Sequence, residues 1–118
     1  MFLGRVVGHV VSTQKDKVLS GQKLFVVEPL NVKYEDGSTR PASLGNTGRA
    51  IVCLDVVGCG EGQLVMVVQG SSARMTEPTK NLPADAVIVG IVDSAVFSGK
   101  TFYQSGDESA AKTQRAQR

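Results

Sequence analysis

The chain has 118 residues, enough for one domain with a real core, and at 42% hydrophobic and 20% charged it has the composition of an ordinary globular protein. Its net charge of +2, from 13 basic and 11 acidic residues that are interspersed, is too weak a bias to argue nucleic-acid binding by counterion release. Two cysteines, Cys53 and Cys59, sit in apolar or glycine-rich context and make no disulfide framework, and no apolar run approaches the about 20 residues that span a bilayer.

The N-terminus lacks the basic n-region and sustained apolar h-region of a signal peptide, which with the cysteine usage predicts a cytosolic protein. Val dominates the apolar set and 13 glycines argue for many turns, so strands are expected rather than long helices. Residues 2–13 read as a first long strand, in which Gly4 and Gly8 predict sharp coiling or a bulge. Residues 14–21 read as a loop. Residues 23–30 read as a second strand that Pro29 ends or places at an edge. Residues 31–48 read as a polar excursion with an Asp36-Gly37 turn signal.

Residues 49–57 read as a third strand, with Ala50, Val52 and Leu54 alternating against Ile51, Cys53 and Asp55 and with Val52 taken as a barrel-stabilising position. A glycine-rich loop, Gly58-Cys59-Gly60-Glu61-Gly62, feeds a fourth strand at residues 64–69. That strand stops at Gly70 and enters a single helical turn, Ser71-Ser72-Ala73-Arg74-Met75, with Ser71 or Ser72 available as a cap. Glycine stands where a backbone takes positive φ or is approached closely, so both ends of this strand are expected to meet a ligand or another copy of the chain. A connector with Pro78 and Pro83 leads to a fifth strand, residues 86–97, apolar throughout and expected to be buried on both faces. Ser98-Gly99-Lys100 reads as a turn after which residues 101–103 pair back. The expected fold is all-β: a small closed five-stranded OB-like barrel with one short helical turn, over residues 1–103. Residues 104–118 carry no apolar periodicity and read as a flexible tail that the barrel does not need.

Catalytic chemistry finds little support. His9, the only histidine, lies between Gly8 and Val10 in a strand and reads as structural, because a general base needs a positioned partner. Ser71 and Ser72 lack the G-x-S-x-G context of a nucleophile. Asp55, Glu61, Asp85 and Asp93 are scattered and read as turn anchors or ion-pair partners. The glycine-rich loop precedes a strand, whereas a phosphate cradle needs a helix N-terminus. One chain's Cys53 and Cys59 cannot supply four soft ligands, and no metal or other cofactor is expected. The six aromatics lie mostly in apolar strand positions without a basic groove. A binding module of OB type, for nucleic acid or a small ligand, is therefore the alternative reading.

Five segments in order carry a more specific signal. They are residues 4–15 (GRVVGHVVSTQK), residues 19–27 (LSGQKLFVV), the Asp55-Val56-Val57-Gly58-Cys59-Gly60-Glu61-Gly62 stretch, the apolar strand ending in Gly70-Ser71-Ser72-Ala73-Arg74, and residues 83–93 (PADAVIVGIVD). In these, over residues 1–98, the chain resembles the EutN/CcmL family of bacterial microcompartment vertex proteins. It departs from the family pattern at Cys59, where Ala is frequent, at Glu61-Gly62-Gln63, in the length of the 31–48 excursion and in the extra tail. The resemblance implies a structural protein that is no enzyme, whose barrels form a cyclic homopentamer at the corners of a polyhedral shell. It also implies hexameric and trimeric shell proteins as partners, neither nucleic acid nor membrane, and a narrow opening on the fivefold axis. Gly58, Cys59 and Gly60 are the candidates for that axis, because five converging copies favour residues without bulk. Glu61, Gly70, Ser71, Ser72 and Arg74 are the candidates for the subunit interface.

Overall fold

The computed structural model describes residues 1–13, 21–35, 42–78, 80 and 85–105. Eight strands follow in order: β1 (Phe2–Val10), β2 (Lys23–Tyr34), β3 (Ala42–Asn46), β4 (Ile51–Asp55), β5 (Leu64–Gln69), β6 (Ala86–Ile91), β7 (Ser94–Phe97) and β8 (Lys100–Gln104). One 3-10 turn, Gly70–Arg74, joins β5 to the segment before β6, where the sequence predicts a helical turn. The Asp36-Gly37 turn signal and residues 106–118 of the expected tail lie outside the described residues.

Five strands close the expected barrel. The order is β1-β5-β6-β4-β2, and β2 pairs back with β1 to complete the ring of strands. All ladders are antiparallel except β4 with β6, a short parallel contact of Leu54 with Val87 and Asp55 with Ile88. Closure is possible because β1 coils tightly between two neighbours. Gly4 pairs with Pro29 on one side and Val65 on the other. A Cβ there would lie 2.5 Å from Val27 Cγ1 and 3.1 Å from the Glu28 carbonyl oxygen, so this strand crosses β2 only as glycine. A bulge between Val6 and Gly8 then turns β1 further, as the two glycines predicted.

The barrel interior is filled by Val6, Phe25, Val27, Cys53, Val65, Val67 and Ile88, with Cys59 and Ala86 at its margin. Burying a side chain such as Ile88 or Val67 contributes about 1.5–3 kcal/mol. A second cluster, Leu30, Leu64, Val92 and Tyr103 with Leu3, Leu44, Met66 and Phe102 against it, joins the barrel to the outlying hairpins. A third, Leu54, Ala73 and Val87, lies under the 3-10 turn.

Three expectations change. The 31–48 excursion is not all loop: β2 runs on to Tyr34 and pairs with β3 as an arm, from Leu30 with Asn46 to Tyr34 with Ala42. The arm stays polar because most of its residues are exposed, which hid its strand character. Pro29 does not end β2. It falls between the β4 ladder, which stops at Val27 and Ile51, and the β3 ladder, which starts at Leu30, so no backbone donor is needed there. The expected 86–97 strand breaks at Val92-Asp93 into β6 and β7. β7 leaves the barrel to pair with β8, and Val96 is 59% exposed, so the apolar run is not buried on both faces. The turn at residues 98–100 and the returning strand are as predicted.

Val52 is also corrected. It is 51% exposed on the outside of the barrel, whereas its neighbour Cys53 is fully buried inside. The period of two is right, but the faces are exchanged. Truncating Val52 removes no interior packing.

Ile88→Ala is expected to lower the unfolding free energy by about 2–5 kcal/mol, whereas Val96→Ala on the outlying hairpin changes it by less than about 0.5 kcal/mol. Urea unfolding of the two variants checks this, and a similar loss in both would contradict the assignment of the core.

Candidate functional site: the loop before β5 and the turn after it

The segment Asp55 to Gln63 is held from both sides. At its start the buried Asp55 carboxylate accepts the Val57 amide at 3.0 Å and the Gly58 amide at 3.1 Å. The aspartate thereby acts as the turn anchor that its sequence context suggested. Gly58 takes φ +80°, a conformation that L side chains rarely adopt. The Gly60 amide donates to Gln63 Oε1 at 2.7 Å. At the far end the Gly62 amide donates to the Val6 carbonyl at 2.7 Å, and the Val6 amide to the Gln63 carbonyl at 3.0 Å. Arg5 Nη1 adds a bond to the Gly62 carbonyl at 3.1 Å. Each such bond is worth about 1 kcal/mol net, and together they lock the loop to β1 at its bulge.

His9 and Glu61 meet across this junction, with Nδ1 2.9 Å from Oε1. A carboxylate only accepts, so the ring donates. Both groups are exposed, and such a surface pair is worth about 0–1 kcal/mol. His9 is thus a structural strut, as its place in a strand suggested, but a solvent-facing one. Its partner could not be read from the sequence, because 52 residues separate the two.

The predicted site residues fall into two groups. Gly58, Cys59, Gly60 and Glu61 share the loop. Gly70, Ser71, Ser72 and Arg74 share the 3-10 turn, at the other end of β5. Gly70 takes φ +68° and its amide donates to the Asp85 carbonyl at 2.7 Å. Ala73 is fully buried against the outside of the barrel, while Ser71 and Arg74 are exposed.

Cys59 turns its side chain inward, to 6% exposure, and its thiol hydrogen-bonds to Asp55. Burial first, and then the Asp55 charge, push this thiol up to about 12. Burial, with a smaller push from Asp85, does the same to Cys53. Both are free thiols, and neither is a nucleophile or a soft metal ligand at neutral pH. Among the described residues no three His, Cys, Asp or Glu side chains gather as a metal site. Of the six aromatics only Tyr34 is exposed, and it stacks on Phe97 with ring centroids 5.1 Å apart. The described residues therefore offer no row of stacking aromatics.

Comparison with known proteins gives a consistent result. The family described as "Ethanolamine utilisation protein EutN/carboxysome" matches residues 1–93. The bacterial microcompartment shell vertex protein GrpN of Rhodospirillum rubrum is 45% identical over 95 residues, which is 80% of this chain and 94% of that protein. The carboxysome shell vertex protein CcmL of Synechocystis is 35% identical over 108 residues, 92% of this chain and 98% of that protein. Among solved structures, CcmL of Gloeobacter violaceus superposes with a TM-score of 0.74 at 29% identity, covering 91% of this chain and all of that one. The pentameric microcompartment shell protein GrpN of Rhodospirillum rubrum superposes with a TM-score of 0.64 at 40% identity, covering 82% of this chain and 99% of that one.

The two buried thiols give the barrel an alkaline limit. Their folded-state values lie above the ordinary 9.0, so above that pH the unfolded chain loses protons that the folded chain keeps. Their contribution to stability is full below pH 9.0 and is lost as the pH rises toward about 12. The urea midpoint is expected to fall over this window, and to fall less steeply in a Cys53→Ala/Cys59→Ala variant. Equal slopes would contradict the burial of the thiols.

Proposed function

This chain belongs to the EutN/CcmL family, and we propose that it is the vertex protein of a bacterial microcompartment shell, five copies closing the ring that caps each corner. The observation that carries the reading is the barrel itself, which superposes along 82% of the chain on a pentameric shell protein at 40% identity. The physics of the role agrees. A flat hexagonal sheet cannot close on itself, so a polyhedral shell needs fivefold units at its corners. Hexameric and trimeric shell proteins are then the partners around the ring, and the work is structural rather than catalytic. The inert thiols support this, as does the lone histidine, which is occupied by Glu61.

We place the Gly58-Cys59-Gly60 loop nearest the fivefold axis. Gly60 supports this. Its φ is not in the left-handed region, and a Cβ there would meet only Gln63 Oε1, at 3.9 Å. The protomer by itself has room for a side chain at this point, so the glycine serves something outside the protomer. Cys59 brings its backbone to the axis and keeps its thiol in the barrel. Glu61 and the turn with Gly70, Ser71, Ser72 and Arg74 are assigned to the contact between neighbouring subunits.

Two tests follow. A hexamer-forming shell protein expressed alone is expected to give open sheets or tubes, and co-expression with this chain to give closed polyhedra under the electron microscope. Unchanged open sheets would refute the vertex role. Gly60→Val is expected to leave the circular dichroism of the barrel intact while reducing the ring fraction in size-exclusion chromatography, since overpacking costs about 1–3 kcal/mol at each repeated site. Normal assembly of Gly60→Val would put this loop at the periphery.

A further inference from the structure

We propose that the outer face of β1, β2 and β4, centred on Val26 and Val52, is the seat on which the next copy of the chain docks in the ring; this rests on the ring reading above. Two rows cross these strands in register. One is Gly8, Val26 and Val52, and the other is Val10, Leu24 and Leu54. Their neighbours Phe25, Val27 and Cys53 point into the barrel, so both rows point out. An antiparallel face that meets water alternates with the core and is polar. This one is apolar across three strands. Leu54 is covered by the 3-10 turn, but Val52 is 51% exposed and Val26 only half-buried.

Gly8 supplies a second, independent observation. Among the described glycines outside the left-handed region, Gly4, Gly45 and Gly90 are each forced by a neighbour in the same protomer: Val27, Lys33 and Met66. Gly8 is not. A Cβ there would make only an ordinary 3.6 Å contact with Val26. A mid-strand glycine with no such reason inside its own chain marks the close approach of another backbone. The apolar rows end at Glu28, whose carboxylate accepts the Gly48 amide at 3.0 Å and begins a polar rim. An apolar centre with a polar edge is the anatomy of a protein–protein contact. The occupant follows from symmetry. A cyclic ring joins two unlike patches of the same chain, so a face of this kind is needed once per subunit, and the next copy fills it.

The test measures the mass of the full chain by size-exclusion chromatography with light scattering. The wild type is expected to run as a pentamer of the 12.5 kDa chain. Val52→Glu should run as a monomer with unchanged circular dichroism, because the substituted side chain leaves the barrel interior untouched. Gly8→Ala should weaken ring assembly about tenfold or more, read as the chain concentration at half dissociation. Val96→Glu, equally exposed but on the β7–β8 hairpin, should leave the pentamer intact. Intact pentamers in both Val52→Glu and Gly8→Ala, or equal dissociation by Val96→Glu, would overturn the assignment of this face while leaving the vertex role standing. A monomeric wild type would remove both readings.

Discussion

Everything in this protein hangs on one crowded crossing, where β1 passes between β2 and β5 at Gly4. The strand is bonded on both edges there, and a single added carbon would collide with Val27 and the Glu28 carbonyl. Without that approach the sheet stays open and its edges stay unpaired. With it, the sheet closes on itself, Val6 turns inward onto Phe25 and Val27, and the bulge after Val6 aims the rest of the strand at the Gly58–Gly62 loop. The backbone bonds between Val6 and Gly62 and between Val6 and Gln63 carry the closure directly into the candidate site.

Glycine has three separate uses in this chain. Gly58 and Gly70 are conformational, since each takes a positive φ that starts a turn. Gly4 is steric within the protomer. Gly8 and Gly60 fit neither explanation, and both lie next to the His9–Glu61 pair that straps β1 to the loop. The two glycines that the folded chain does not itself require are thus neighbours of one strut. A vertex protein needs such positions. The barrel has to be stable as a unit, and it has to leave bare backbone where a copy of itself must come close.

Most of the fold was legible before any coordinates, and the failures have physical causes. The barrel strands, the helical turn after Gly70 and the returning hairpin at Gly99 follow from apolar runs punctuated by glycine. The arm formed by the end of β2 and β3 was missed because its strands face water on nearly every side and so carry no apolar period. The break at Val92-Asp93 was missed because β6 and β7 are both apolar, though only β6 is in the barrel. Val52 was assigned to the wrong face because Ile51-Val52-Cys53-Leu54 is apolar on both sides; an apolar outer face looks like an interior in a single sequence. That ambiguity is itself informative, since a strand with two apolar faces in a small barrel has something to cover on the outside. The Asp55 anchor was readable from its place before Gly58, whereas the His9–Glu61 strut was not, because only the closed barrel brings the two together.

Native mass spectrometry of the wild-type chain tests the central claim most directly. The account predicts one dominant species of five chains that persists on dilution. A single-chain species at the same concentration would contradict it, and would leave the barrel as a fold without the assembly that gives it a function.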